Sequence, residues 1–286
     1  MFNYIIYLLN KTILEIMKHV ITRCLLIAIF LLSTQVAVGQ EFQGKAYYFS
    51  KSGLELGSWG ARMSEAQKKQ IQERLKNRLE KTYVLTFNKE EASFKEDQKL
   101  DAISGATDSW GKNFSPGEQY KNIKTNSFVQ VQEFYGKQFL VKDELRKMNW
   151  TMTKESKKIG NYVTFKATTS IPKSELEWYN FSWSDIRNTD SEAGEEAEEM
   201  IDVVAWYTPQ IPVSMGPREF WGLPGLILEV NMNNTTMLCS KIVMNPEDKN
   251  KIEAPKRGKE VAKMEYKEII TGKMIEMRDN RGRRRN

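Results

Sequence analysis

From Lys45 to Met244 apolar and polar residues alternate again and again with period two. That pattern admits strands with one buried and one wetter face, and so an antiparallel sheet. "KAYYFSKS" (Lys45–Ser52) reads as a first strand. Tyr83, Leu85 and Phe87 share one face of another. Phe128 to Tyr135 turns at "YGK" (Tyr135–Lys137) into "QFLV" (Gln138–Val141). Met148, Trp150 and Met152 alternate with polar neighbours, as do Val163, Phe165 and Ala167. Ile201, Val203, Ala205 and Tyr207 share a further face, and Leu226–Met232 and Thr236–Met244 add two strands.

Helices flank this pattern. In Ser64–Thr82 the serine can cap and Gln67 stands at capping-box spacing, with Ile71, Leu75 and Leu79 as a narrow apolar stripe. Lys259–Arg278 reads as an amphipathic helix around Val261, Met264, Ile269 and Met274. The expected class is α+β: a mostly antiparallel, curved sheet with flanking helices. Two long segments interrupt it. Glu96–Thr125 reads as a polar loop, and Ile171–Met200 carries "EWYNFSW" (Glu177–Trp183), whose aromatics are expected to pack back on the sheet.

The N-terminus has another character. Lys18 and Arg23 precede the apolar run "CLLIAIFLL" (Cys24–Leu32), and Ala37, Val38 and Gly39 form a small-residue cleavage pattern. This reads as a secretory signal peptide cleaved after Gly39, and the run is too short for a bilayer core of about 30 Å. Met17 is the more natural start, which makes residues 1–16 an upstream extension. The expected organisation is a leader over 1–39, a single β-rich domain over 40–277 and a basic, disordered tail over 278–286.

The net charge of +6 comes from that leader and from the tail "RDNRGRRRN" (Arg278–Asn286), with its five arginines. The body is balanced, so no nucleic-acid face is implied. The single His, His19, and one of the two cysteines, Cys24, lie in the leader. A mature domain without His excludes Ser-His-Asp triads, Cys-His pairs and HExxH zinc sites. Cys239 has no partner for an internal disulfide. Met237 and Cys239 share a strand face, a thioether and thiol pair that would suit Cu(I), although strand packing explains both. Asp101 and Asp108 are the candidate carboxylates for a hydrolase, with no paired geometry legible.

The stretch "WGLPGLILEV" (Trp221–Val230) holds two glycines around a proline. Leu226 and Ile227 follow the second glycine where a Walker loop needs Lys and Ser or Thr, so a phosphate loop is excluded. Pro224-Gly225 fits the central positions of a type II turn over Leu223–Leu226, which would put Gly225 at positive φ. It would feed a strand with Leu226, Leu228 and Val230 on one face and Ile227 and Glu229 on the other.

The intact motif Gly222-Leu223-Pro224-Gly225-Leu226-Ile227, the approach "AWYTPQIPVSMGP" and the upstream "NWTMTKESKKIGNYVTFKAT" (Asn149–Thr168) resemble the GLPGLI family of Gram-negative envelope proteins, also known under a Porphyromonas-type name. The family often has a Cys where Val163 stands here. The resemblance implies a periplasmic or outer-membrane-periphery location, and the strand pattern looks like the half-open barrels of periplasmic lipoprotein carriers. On that analogy Trp150, Phe165, Trp206, Tyr207, Trp221, Leu223, Leu226 and Leu228 would line a hollow for an apolar small molecule, lipid or peptide, with Gly222, Pro224 and Gly225 as the turn. The competing expectations are an accessory of an outer-membrane, TonB-dependent transporter, a copper binder and a carboxylate hydrolase. No cofactor and no catalytic residue are expected.

Overall fold

The structure, a computed structural model, describes residues 13–23, 25, 42–53, 60, 62–97, 116–181, 198–248 and 251–283. Two units separate, Met1–Phe42 and Gln43–Asn286. In the first, residues 13–23 are helical, with a Lys18–Glu15 ion pair at 3.1 Å. Most of the expected signal run and its cleavage pattern lie outside the described residues. Among those residues no helix is long and apolar enough to cross a membrane.

The second unit is built on one sheet whose two end strands do not meet. Its strands are β1 (Gly44–Ser52), β2 (Glu80–Phe87), β3 (Glu91–Glu96), β4 (Gln119–Asn122), β5 (Ser127–Phe134), β6 (Lys137–Glu144), β7 (Thr151–Ile159), β8 (Tyr162–Pro172), β9 (Met200–Thr208), β10 (Leu226–Met232), β11 (Thr235–Met244) and β12 (Lys259–Val261). They lie in the order β12-β6-β5-β4-β3-β2-β1-β11-β10-β9-β8-β7. Two meanders thus join where β1 pairs with β11, and all pairings are antiparallel except β12 on β6. The helices are α1 (Glu65–Arg74), α2 (Lys76–Leu79), α3 (Lys173–Leu176) and α4 (Lys263–Arg283). The expected mostly antiparallel sheet with flanking helices is what the chain forms.

Local chemistry sets the joints. Tyr135 and Gly136 both have positive φ, +46° and +76°, the two-residue turn that matches strand twist. Ser64 and Gln67 form the expected capping box on α1. The single helix expected to Thr82 is instead two helices ending at Leu79, because β2 starts at Glu80 to pair with β1 and β3. Met148 and Trp150 precede β7 rather than lie in it. Lys259–Val261 pairs with β6 as a strand, and α4 buries Tyr266, Ile270 and Met274 while Met264 is 71% exposed. The helix runs to Arg283, past the expected start of the tail at Arg278, although Asp279, Asn280 and Gly282 are all poor helix formers.

One face of the sheet, here the inner face, carries Tyr48, Leu85, Phe94, Phe128, Val141, Val203 and Tyr207, all buried. At one end α4 covers it, and Trp178 and Tyr179 pack into that core, with Trp178 edge-on to Tyr266 at 5.7 Å. Packing back was the expected fate of these aromatics. At the other end the connection between β9 and β10, residues 209–225, folds onto the inner face as a plug. Its Ile211, Val213, Met215, Phe220 and Leu223 are all at most 4% exposed.

The segment expected as a polar loop, Glu96–Thr125, contains β4. Its inward residues are Gln119 and Lys121, 3% and 2% exposed, so an apolar pattern was never there to read. Asp101 and Asp108 lie outside the described residues.

Candidate functional site

The plug is fastened from its backbone. Ile211 N–H donates to the Thr208 carbonyl at 3.4 Å, Leu226 N–H to the Ile211 carbonyl at 2.9 Å, and Ile227 N–H to the Met215 carbonyl at 2.9 Å. Gly225 N–H donates to the Leu223 carbonyl at 2.8 Å. That is a three-residue γ-type turn around Pro224. It replaces the expected type II turn, because Leu226 spends its donor on Ile211 instead. Gly225, with φ at +159°, is almost extended, and what requires a glycine there is space. A Cβ would stand 2.2 Å from the Thr208 carbonyl oxygen. Gly222, at φ +93°, is the residue of the motif with a left-handed backbone.

Lys121 reaches from β4 into this plug. Its ammonium is 2.6, 2.8 and 2.7 Å from the carbonyl oxygens of Gly216, Arg218 and Phe220. Three acceptors match the three N–H donors of an ammonium. Burial pulls the Lys121 amine down to about 7, opposed by the charge of Glu219. The clamp holds Arg218 at φ +51°, a region that costs a non-glycine residue energy.

The Arg218 side chain then meets the phenol oxygen of Tyr179, to which Nη2 donates, and the Met232 sulfur at 3.9 Å from Nη1. The next residue, Glu219, points its carboxylate elsewhere: Trp178 Nε1 donates at 3.0 Å and Lys263 pairs at 2.9 Å. Among the described residues Arg218 has no carboxylate within ion-pair distance.

Arg218 borders a hollow of about 220 Å³ on the inner face, between the plug and the α3 region. Ser50, Lys81, Tyr83, Gln119, Glu177 and Tyr179 contribute polar groups to its wall, and Phe94, Leu176, Met232 and Met237 contribute apolar ones. Lys81 is paired with Glu96 at 2.8 Å. Gln119 Nε2 donates to Gln130 at 2.7 Å, and Gln130 Nε2 to Gln132 at 2.8 Å. The Gln119 Oε1 is buried without a hydrogen-bond partner. The hollow is therefore a polar site with one apolar wall.

The residues expected to line an apolar hollow are elsewhere. Leu223, Leu226 and Leu228 are core, at most 1% exposed. A β-bulge between Ile227 and Glu229 breaks the expected alternation and puts Ile227 and Val230 on one face, opposite Tyr207 and Ala205. Trp206 pairs across from Glu229 on the outer face, with the Lys157 ammonium 4.3 Å above its ring. Trp150 donates to the Trp221 carbonyl at 2.7 Å, and Trp221 to the Arg146 carbonyl at 2.6 Å, so the two indoles clamp the motif. Phe165 contacts Tyr207 but remains 37% exposed, because Ser156, opposite it on edge strand β7, is too small to cover it. None of these borders the hollow. Sequence reasoning missed Arg218, Gln119 and Lys81. The signal available was a charged pair, Arg218-Glu219, embedded between Pro217 and Phe220.

Met237 and Cys239 do share a buried face, as expected. The Cys239 thiol donates to the Lys241 carbonyl at 3.6 Å, and burial pushes it up to about 12. Among the described residues no three His, Cys, Asp or Glu side chains gather as metal ligands.

Residues 150–229 match a protein family described as "Protein of unknown function (Porph_ging)". The matched stretch runs from Trp150 through β7, β8, β9 and the plug to Glu229, and so includes Arg218. No curated protein matches the chain. Two solved structures described as PNGF-II, in space groups C2 and P21, are similar with a TM-score of 0.47 and 15% identity. Each covers 80% of this chain, and the chain spans about a third of theirs, 32% and 33%.

Proposed function

We propose that this chain is an exported, non-catalytic binding protein of the cell envelope, and that its ligand site is the polar hollow at Arg218. The single observation that carries the reading is an arginine held at a costly backbone angle on the wall of a hollow, with the cations Lys81 and Lys263 already in ion pairs and Arg218 in none among the described residues. A buried or half-buried cation without a counter-charge is expensive, and a ligand would offset that cost. The resemblance of Gly222–Ile227 and its flanks to the GLPGLI family, together with the leader, supports the envelope location.

This reading departs from the expected apolar small molecule, lipid or peptide, because the wall chemistry favours a polar small molecule. Accessory binding to an outer-membrane transporter is compatible with it, since such a partner could use the same ligand.

The test is a titration of the full chain followed by NMR, with a set of small polar molecules and, in parallel, decanoate. The reading predicts saturable shifts centred on Arg218, Tyr179 and Met232 for polar members of the set. Saturation by decanoate alone, or shifts that avoid these residues, would overturn it.

A further inference from the structure

We infer that the hollow recognises a small carboxylate that also carries a hydrogen-bond donor; this rests on the binding role proposed above. The wall charges limit the ligand. Lys81 is matched by Glu96 and Lys263 by Glu219; among the described residues Arg218 and Glu177, both on the wall of the hollow, are in no ion pair. A guanidinium beside a carboxylate suits a carboxylate that brings its own hydrogen-bond donor for the acidic side, and would under-compensate a phosphate dianion.

The donors suit the same group. Arg218 uses Nη2 on Tyr179 and has only a thioether near Nη1, so N–H donors of its planar fork are left for a carboxylate. Because the Tyr179 oxygen accepts from Arg218, its own O–H can donate to the same carboxylate.

A second, independent observation asks for a donor on the ligand. The Gln119→Gln130→Gln132 run of amides has one direction, each Nε2 donating to the next Oε1. That direction turns Gln119 Oε1 out of the ladder, and this atom is the unpartnered one. A buried amide oxygen left unmade is costly, so an amine or hydroxyl on the ligand gains there. Phe94, stacked on Tyr83 at 4.9 Å, and the thioethers of Met232 and Met237 leave room for a short apolar body. An amino acid with an apolar side chain has all three features. It could arrive free or as the C-terminal residue of a peptide.

The test is calorimetry on the full chain with leucine, leucinamide, 4-methylpentanoate, Gly-Gly-Leu and its C-terminal amide, and sodium sulfate. Leucine is expected to bind at least about tenfold more tightly than leucinamide, the loss of one charge-assisted contact. 4-Methylpentanoate, which keeps the carboxylate and lacks the amine, is expected to fall between them. Gly-Gly-Leu binding as well as leucine, with its amide weak, would assign the source to peptide C-termini; leucine alone would assign it to the free acid. Arg218→Met is expected to erase the preference for acid over amide, and Tyr179→Phe to reduce it, in proteins whose melting is checked alongside. Amides binding as tightly as acids, or sulfate displacing leucine, would overturn the carboxylate while leaving a binding hollow. An acid preference unchanged in Arg218→Met would overturn it too. Silence from every compound, charged or neutral, would overturn the binding role itself.

Discussion

Gly225 and Gly222 belong to one motif and need glycine for different reasons. At Gly225 a Cβ would collide with fixed backbone, the Thr208 carbonyl 2.2 Å away. At Gly222 there is room, with Trp150 Nε1 nearest at 3.8 Å, but φ is +93°. Gly225→Ala should therefore cost about 1–3 kcal/mol as an overpacked site. Gly222→Asn should cost less than about 1 kcal/mol, since Asn tolerates positive φ best among the other residues. Urea unfolding of the two variants checks this, and equal stability of Gly225→Ala and the parent would mean that the Thr208 strand end can yield. The sequence made the motif conspicuous but not its geometry. A Pro-Gly pair fits a type II turn by local rules, and only the long-range bond from Leu226 to Ile211 excludes it.

At the scale of elements, the strands on the inner face were legible where that face is apolar and illegible where it is not. β9 alternates cleanly, with Ile201, Val203, Ala205 and Tyr207 all buried. β4 was hidden because its inward side chains are Gln119 and Lys121, both buried, and the first of them forms part of the wall of the hollow. Lys121 also ties β4 to the plug in a pH-dependent way. Its folded value of about 7 lies below the ordinary 10.5, mainly through burial. Below about 7 both folded and unfolded chains hold the proton, and the cost of the buried charge is fully present. Between about 7 and 10.5 the unfolded chain alone holds it, so this group makes stability rise with pH, by up to about 1.4 kcal/mol per unit. Lys121→Met should lack that slope. Unfolding curves at pH 6.5, 8 and 9.5 should show the parent gaining on the variant as pH rises, and a constant gap between them would contradict the assignment. The neutral amine has two N–H groups for three carbonyls, so the Arg218 turn should loosen over the same range.

For the whole molecule, the mostly antiparallel sheet followed from the period-two pattern, and its unclosed form from the likeness to half-open barrels, whereas the filling of its inner face followed from neither. The plug closes one end and α4 the other, and a polar hollow of about 220 Å³ lies between. No periodicity records which inward residues will meet a neighbour and which will be left facing space, so the aromatic and leucine residues that stood out in the sequence proved to lie in the core, on the outer face at Trp206, in the indole clamp at Trp150 and Trp221, or exposed at Phe165. The proposed export is tested on the whole chain as well. N-terminal sequencing of the protein from an envelope fraction should start at Gln40, and an intact Met1 or Met17 would contradict cleavage after Gly39. The central claim is that Arg218 lines an open, ligand-accepting hollow. The measurement that tests it most directly is a crystal structure of the full chain grown with leucine. The account predicts leucine density between Arg218, Tyr179 and Gln119, with a carboxylate oxygen in hydrogen-bond contact with the guanidinium. A hollow closed by the chain's own side chains, or Arg218 turned away onto a carboxylate of the chain, would contradict it.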